Sequence, residues 1–454
     1  MHPSFDDTIV ALATPQGVGA LAVIRLSGKQ SIPIVNSVFR GKDLALQASH
    51  TIHYGNIADS DRMIDEVLVS LFVGTKSFTK EDSVELSCHG SPVIVKEIIK
   101  LLLSKGARLA MPGEFTKRAF LNGRFDLAQA EAVADLIMAE TDNGRQAALN
   151  QMRGGFSKEI KTLREELIHF AALIELELDF GEEDVEFAKR DDLKKLIDRI
   201  VRLLEALIGS FDQGNVIKNG VPVVIAGRPN AGKSTLLNTL LNEEKAIVSD
   251  IPGTTRDFIE DEVEWGGISY RFIDTAGLRE TKDVIESMGV QRTREQMQKA
   301  ALIVYLFDVR STTPEVLAEE ELGLKEMSIP YVLVGNKMDE VGPDRLKLFG
   351  NSIVPISALK KQNMDLLKDK ITSRFSMGNV KQGDVLVTNL RHYQNLVHTK
   401  AALQRVTEGI DRGVTGDFLA MDIRQSLHYL GEITGVITSD DLLGEIFGKF
   451  CIGK

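Results

Sequence analysis

Gly227-Arg228-Pro229-Asn230-Ala231-Gly232-Lys233-Ser234 follows an apolar run at 222–226 and precedes a helical stretch at 235–241. The eight residues fit the spacing G-x-x-x-x-G-K-[ST]. A strand, a glycine-containing turn and a helix in that order make a loop whose backbone N–H groups face phosphate oxygens, with the positive helix end behind them. Lys233 is then set to reach the β- and γ-phosphates, and the Ser234 hydroxyl to bind Mg²⁺. Working outward, 269–273, 302–308 and 331–335 are strand-like runs alternating with helical stretches. That alternation predicts a mostly parallel sheet covered by helices.

Three later signals belong to the same site. Asp274-Thr275-Ala276-Gly277 closes the strand at 270–273; an acid there holds the second side of Mg²⁺, and the Gly277 N–H senses the γ-phosphate. Asn336-Lys337-Met338-Asp339 ends the strand at 331–335. Guanine presents two donors, N1–H and the 2-amino group, that the Asp339 carboxylate accepts together; adenine lacks this pair and is rejected. Ser357-Ala358, after an apolar run at 354–356, fits the last base-contacting loop. In this order and spacing the set reads as a GTP site.

The hydrolytic machinery differs from that of Ras-like switches, where a Gln follows the Asp-x-x-Gly motif and orients the attacking water. Here that position is Leu278. Asn230 is suited to help hold a monovalent cation beside the phosphates, in the electrostatic role of an arginine finger. Glu286 reads either as the holder of the water or as a solvated surface acid, and the residue alone favours the surface reading. Arg256 and Arg279, in the two switch segments, read alone as surface salt-bridge partners.

The 454 residues suggest about three domains. To about residue 120, short apolar runs at 9–13, 21–26, 67–73 and 84–87 and a helical pattern at 93–103 give an α+β domain. Amphipathic helical patterns follow at 127–140, 160–178 and 191–211, and return at 390–406 and 417–431. The α/β domain is therefore expected as an insertion into a helical domain. The expected boundaries are 1–121, 122–218, 219–377 and 378–454. Lys plus Arg is 54 against 65 for Asp plus Glu, a net charge of −11, which argues against a protein that coats nucleic acid. No apolar run is long enough to span a membrane. Two cysteines, Cys88 and Cys451, build neither a disulfide framework nor a zinc site, so a reducing cytoplasm is expected.

The loop Gly253-Thr254-Thr255-Arg256-Asp257 resembles that of translation-associated GTPases related to Era. Outside the α/β domain, Asp7-Thr8-Ile9-Val10-Ala11, Val23-Ile24-Arg25-Leu26-Ser27-Gly28, Pro112-Gly113-Glu114-Phe115, Arg118-Ala119-Phe120-Leu121-Asn122-Gly123 and Asp126-Leu127-Ala128-Gln129-Ala130-Glu131-Ala132 resemble the MnmE (TrmE) family of tRNA-modification GTPases. So do Thr438-Ser439-Asp440-Asp441-Leu442-Leu443-Gly444-Glu445-Ile446-Phe447 and the ending Cys451-Ile452-Gly453-Lys454.

The resemblance implies an N-terminal folate-binding domain that also dimerises, a helical domain and an inserted GTPase domain. It implies a joint reaction with the FAD protein MnmG (GidA), adding aminomethyl or carboxymethylaminomethyl to C5 of the tRNA wobble uridine. The one-carbon unit comes from a 5-formyl or 5,10-methylene tetrahydrofolate. By resemblance, folate contacts fall on Arg25, Glu85, Arg124 and Lys454. K⁺ ligands fall on Asn230, Ser249, Ile251 and Thr254, and Mg²⁺ on Ser234 and Thr255. Thr235, Asp250 and Gly253 join the nucleotide-binding set. Glu286 matches the family's water-orienting acid, which reverses the surface reading, and Arg256 and Arg279 match its switch arginines. Cys451 reads as a thiol needed for modification or as a buried apolar residue at a packed chain end. Cys88 reads as a core residue. An Era-like GTP switch acting in ribosome assembly is the alternative function; no basic RNA-binding domain follows the GTPase domain to support it.

Overall fold

The computed structural model describes residues 7–179, 190–244, 261–273, 297–375 and 380–453. They divide into two units. One comprises Met1–Ile137, Ala148–Ile208 and Arg391–Lys454, and the other Met138–Ala147 and Gly209–Leu390.

In the first unit, β1 (Ile9–Leu12), β2 (Gly19–Ser27), β3 (Phe39–Arg40), β4 (Thr51–Asp59), β5 (Arg62–Phe72), β6 (Ser83–Gly90) and β7 (Arg108–Leu109) form a sheet in the order β3-β4-β5-β6-β2-β1-β7. Only the β1–β7 pair is parallel. Successive side chains alternate between faces. Ala22, Ile24 and Leu26, Val67, Val69 and Leu71, and Val84, Leu86 and Cys88 therefore share one buried face. The helices Ser31–Val38 and Pro92–Ser104 cover it with Val35, Val38, Ile98 and Leu102. Arg25 and Glu85 have the opposite parity and lie directly across from one another in the register of β2 and β6.

The same unit holds helices that precede and follow residues 209–390 in the sequence. Gly416–Thr434 runs against Gly155–Asp179, with Arg424 and Glu175 paired at 2.6 Å. Lys194 of Arg190–Gly209 meets Asp411 of Leu390–Asp411 at 2.6 Å. The helical segments expected to pack together across the insertion do so. A buried ion cluster fixes this junction. Glu131, on the helix Leu127–Met138, accepts from Arg391 and lies against the His392 ring nitrogen, each at 2.7 Å. Burial opposes ionisation of Glu131, but His392 and Arg391 outweigh it and hold the carboxyl down at about 2.

In the second unit, β8 (Val221–Ala226), β9 (Asp261–Trp265), β10 (Ile268–Phe272), β11 (Leu302–Asp308), β12 (Tyr331–Asn336) and β13 (Ile353–Pro355) form a sheet in the order β13-β12-β11-β8-β10-β9. Only β9 pairs antiparallel. Both faces are buried: Val223 and Ile225 in one core, Val224 and Ala226 in the other. Apolar runs without alternation are what such a doubly covered sheet requires. Among the described residues no helix is long and apolar enough to cross a membrane.

Candidate functional site

The loop Gly227–Ser234 leaves β8 at its carboxyl end and runs into the helix Lys233–Glu244. β8 lies between β11 and β10, where the strand order reverses, the usual place for a ligand crevice in an open parallel sheet. Gly227 has φ of +139°, and a Cβ there would lie 1.9 Å from the Leu306 carbonyl oxygen, so the loop passes β11 only as glycine. Asn230 also takes a left-handed conformation, φ +60°, and is exposed. Ala231 is buried, Ser234 half-buried and Thr235 exposed at the start of the helix. Lys233 folds over the loop, its Nζ donating to the carbonyls of Gly227 at 2.9 Å and Arg228 at 3.0 Å. Burial pushes its amine below the usual lysine range.

Asn336 ties three motifs into one surface. It is 3% exposed; its Nδ2 donates to the Ala231 carbonyl at 2.8 Å and its Oδ1 accepts from the Ala358 N–H at 3.0 Å. Lys337 donates to the Asn230 carbonyl at 2.9 Å and to Asp308 Oδ2 at 2.8 Å. The Asp339 carboxylate meets Lys360 Nζ at 3.1 Å. A hydrogen bond from Ser357 and then the Lys360 charge hold its carboxyl below the usual carboxylate range. Asp339 is thus kept as an acceptor, the state a guanine-reading carboxylate needs. The role of Asp308 in holding Lys337 was not anticipated; its only sequence signal is an acid closing β11. Ser249, Asp250, Ile251, Gly253, Thr254, Thr255, Arg256, Asp274, Thr275, Ala276, Gly277, Arg279 and Glu286 lie outside the described residues.

The second cluster is on the sheet of the first unit. Glu85 Oε1 accepts from Arg25 Nε at 2.8 Å and from Arg25 Nη2 at 2.8 Å. Arg25 Nη1 donates to the Gly453 carbonyl at 3.3 Å, joining residues 428 apart in sequence. The chain end is seated by two glycines. Gly113 donates its N–H to the Cys451 carbonyl at 3.3 Å, and a Cβ on Gly113 would lie 2.5 Å from the Phe447 carbonyl oxygen. Gly453, at φ +92°, leaves no room for a Cβ, which would lie 2.3 Å from the Leu12 carbonyl oxygen. Arg124 donates to the Ser77 carbonyl at 2.6 Å. Its guanidinium lies 5.0 Å from the centre of the Phe78 ring, the ring that Arg25 also approaches at 5.8 Å.

Arg25, Glu85, Arg124 and the segment before Lys454 therefore meet in one place, while Lys454 itself lies outside the described residues. Cys451 is exposed, so the buried reading of that thiol is set aside. Cys88 is 1% exposed in the core, and burial, with Asp65 nearby, pushes its thiol up to about 11. His89 is oriented by Asp65 at 2.7 Å.

The chain has relatives along nearly its whole length. The family model for the MnmE helical domain matches residues 127–451, and that for the GTP-binding protein TrmE N-terminus matches residues 8–124. A tRNA modification GTPase MnmE of Cytophaga hutchinsonii is 61% identical, over 99% of this chain and 98% of its own. That of Flavobacterium psychrophilum is 52% identical over 99% and 100%. The chain belongs to the MnmE family of tRNA modification GTPases. Among solved structures, the FeoB G-domain from Methanococcus jannaschii is 26% identical, covers 34% of this chain and 96% of its own, and superposes with a TM-score of 0.26.

Proposed function

We propose that this chain is a K⁺-stimulated GTP hydrolase. With the FAD protein MnmG it installs aminomethyl or carboxymethylaminomethyl at C5 of the tRNA wobble uridine, using a tetrahydrofolate one-carbon unit. Residues 1–121 form the folate-binding and dimerisation domain, 122–218 and 378–454 the helical domain, and 219–377 the GTPase domain. The protein works as a cytoplasmic homodimer. The observation that carries the reading is the meeting of Arg25 and Glu85 with the carbonyl of Gly453, next to the chain end.

The residues suit the groups assigned to them. A carboxylate paired with one guanidinium offers acceptors for pterin amino and amide donors, and that guanidinium and a second one at the same aromatic ring offer cations for a glutamate tail. Arg25, Glu85, Arg124 and Lys454 would hold the folate, which supplies the one-carbon unit, and the exposed Cys451 thiol lies on the same segment as Gly453. The oxygen donors Ser234 and Thr255 suit Mg²⁺. Oxygens of Asn230, Ser249, Ile251 and Thr254 suit K⁺, which supplies positive charge against the developing phosphate charge. Glu286 orients the water, and Arg256 and Arg279 support the switch segments. Exposed Ile52, Tyr54 and Leu68, the last two directly opposite on β4 and β5, favour a homodimer through the N-terminal sheet.

Two measurements test this. GTP turnover is expected to be faster in K⁺ than in Na⁺, with the difference reduced by Asn230→Ala; equal rates in both salts remove the cation. Nucleoside analysis of tRNA from a deletion strain is expected to lack the modified wobble uridine, and a normal nucleoside profile would overturn the assignment.

A further inference from the structure

Arg25 and Arg124 come from a strand and a turn that share no backbone pairing, yet both guanidinium groups are aimed at one small region. The ring that both approach is Phe78. Arg25 lies 5.8 Å from its centre and also 5.8 Å from that of Phe115, and Arg124 lies 5.0 Å from Phe78. Phe125 packs against the ring in a T-shaped contact, centre to centre 6.1 Å.

The loop carrying Phe78 is fixed on both flanks. Ser77 and Thr79 are buried, and Thr79 shares a hydroxyl network with Ser27 at 2.6 Å and Ser83 at 3.2 Å. Asn122 donates to the Thr79 carbonyl at 2.7 Å, Lys80 to the Gly123 carbonyl at 2.6 Å, and Arg124 to the Ser77 carbonyl at 2.6 Å. These bonds bind the turn 122–124 to the loop 77–80 without using the Phe78 side chain. An apolar side chain of similar size would leave them in place. What only an aromatic ring adds is a negative π face for the two cations.

We propose that Phe78 is a positioning residue of the folate site: its ring gathers the Arg25 and Arg124 guanidinium groups, at 5.8 and 5.0 Å from its centre, toward a ligand that joins a flat heteroaromatic ring to carboxylates. The inference rests on the folate reading above. Phe78→Leu keeps apolar bulk and removes the π face; Phe78→Tyr keeps both.

The test is calorimetric binding of 5-formyltetrahydrofolate to the full-length protein. Phe78→Leu is expected to weaken binding about tenfold, and Phe78→Tyr to restore it to within about threefold of wild type. In the background Arg124→Leu, the further change Phe78→Leu is expected to cost less than it does alone, because one of the two cations it serves is gone. Wild-type affinity in Phe78→Leu, equal weakening by Leu and Tyr, or full additivity with Arg124→Leu would overturn the proposal while leaving folate binding intact. A wild-type protein that does not bind the probe would overturn the folate reading and the proposal with it.

Discussion

Gly453→Ala should detach the chain end from the N-terminal sheet. At φ +92° an alanine backbone is strained by about 1–2 kcal/mol. Its Cβ would also lie 2.3 Å from the Leu12 carbonyl oxygen and 3.1 Å from Ala13 Cα. Leu12 closes β1 and Ala13 donates to the Val23 carbonyl at 2.7 Å, so this neighbour is sheet backbone that yields poorly. Overlap of that kind adds about 1–3 kcal/mol. Against it stand two long hydrogen bonds, Gly113 to Cys451 and Arg25 to Gly453, both at 3.3 Å and together worth about 1–3 kcal/mol. The balance favours the detached end by about 1–2 kcal/mol, whereas the wild type favours the seated end by about 1–3 kcal/mol, from its two hydrogen bonds. Hydrogen exchange at the Gly113 amide, the donor to Cys451, should therefore accelerate by roughly thirtyfold. Modified nucleoside in cells carrying only the variant should fall, because the thiol of Cys451 leaves the vicinity of Arg25. Gly444→Ala is the control: a Cβ there meets nothing within 4 Å, and both readouts should hold. Unchanged exchange at Gly113 in Gly453→Ala would show that the steric reasoning fails.

Two further outcomes follow from buried and paired carboxylates. Glu131 titrates at about 2 against an ordinary 4.5, so its contribution to stability is fully present above pH 4.5 and is lost as pH falls toward 2. That shift corresponds to about 3 kcal/mol. Glu131→Gln should lower denaturant stability by about that amount at pH 7 and flatten the acid limb between pH 4.5 and 2; a parallel acid limb in the variant would remove the cluster from the account. Asp339→Asn replaces a carboxylate acceptor with an amide that carries one acceptor and one donor. GTP affinity should drop by roughly a hundredfold or more, while the xanthine nucleotide, with a carbonyl where guanine has an amine, should gain. Unchanged preference for GTP in competition binding would take Asp339 out of base recognition.

The nucleotide loop was legible because everything that makes it is local. Strand, glycines and helix follow one another within the twenty-four residues from Val221 to Glu244, and Gly227 is required by a neighbouring strand that the same alternation pattern predicts. The short strands β3 and β7 and the longer β4 were not foreseen. β4 carries Gly55 and Asn56 in its middle, and two of its three exposed residues are Ile52 and Tyr54, so its alternation of apolar and polar is weak. The N-terminal cluster was legible only by resemblance, since Arg25 and Glu85 stand 60 residues apart and meet through the register of β2 with β6. Phe78, in a loop of polar residues, gave no sign of the two cations it receives. The cysteines show what such a register decides. Cys88 is three residues from Glu85 on the same strand, hence on the opposite face, in a core where burial disfavours the thiolate. Cys451 is 363 residues further on, exposed, and within two residues of the carbonyl that Arg25 holds. Neither sequence distance nor cysteine chemistry separates them; the parity of one strand and the two glycines that seat the chain end do.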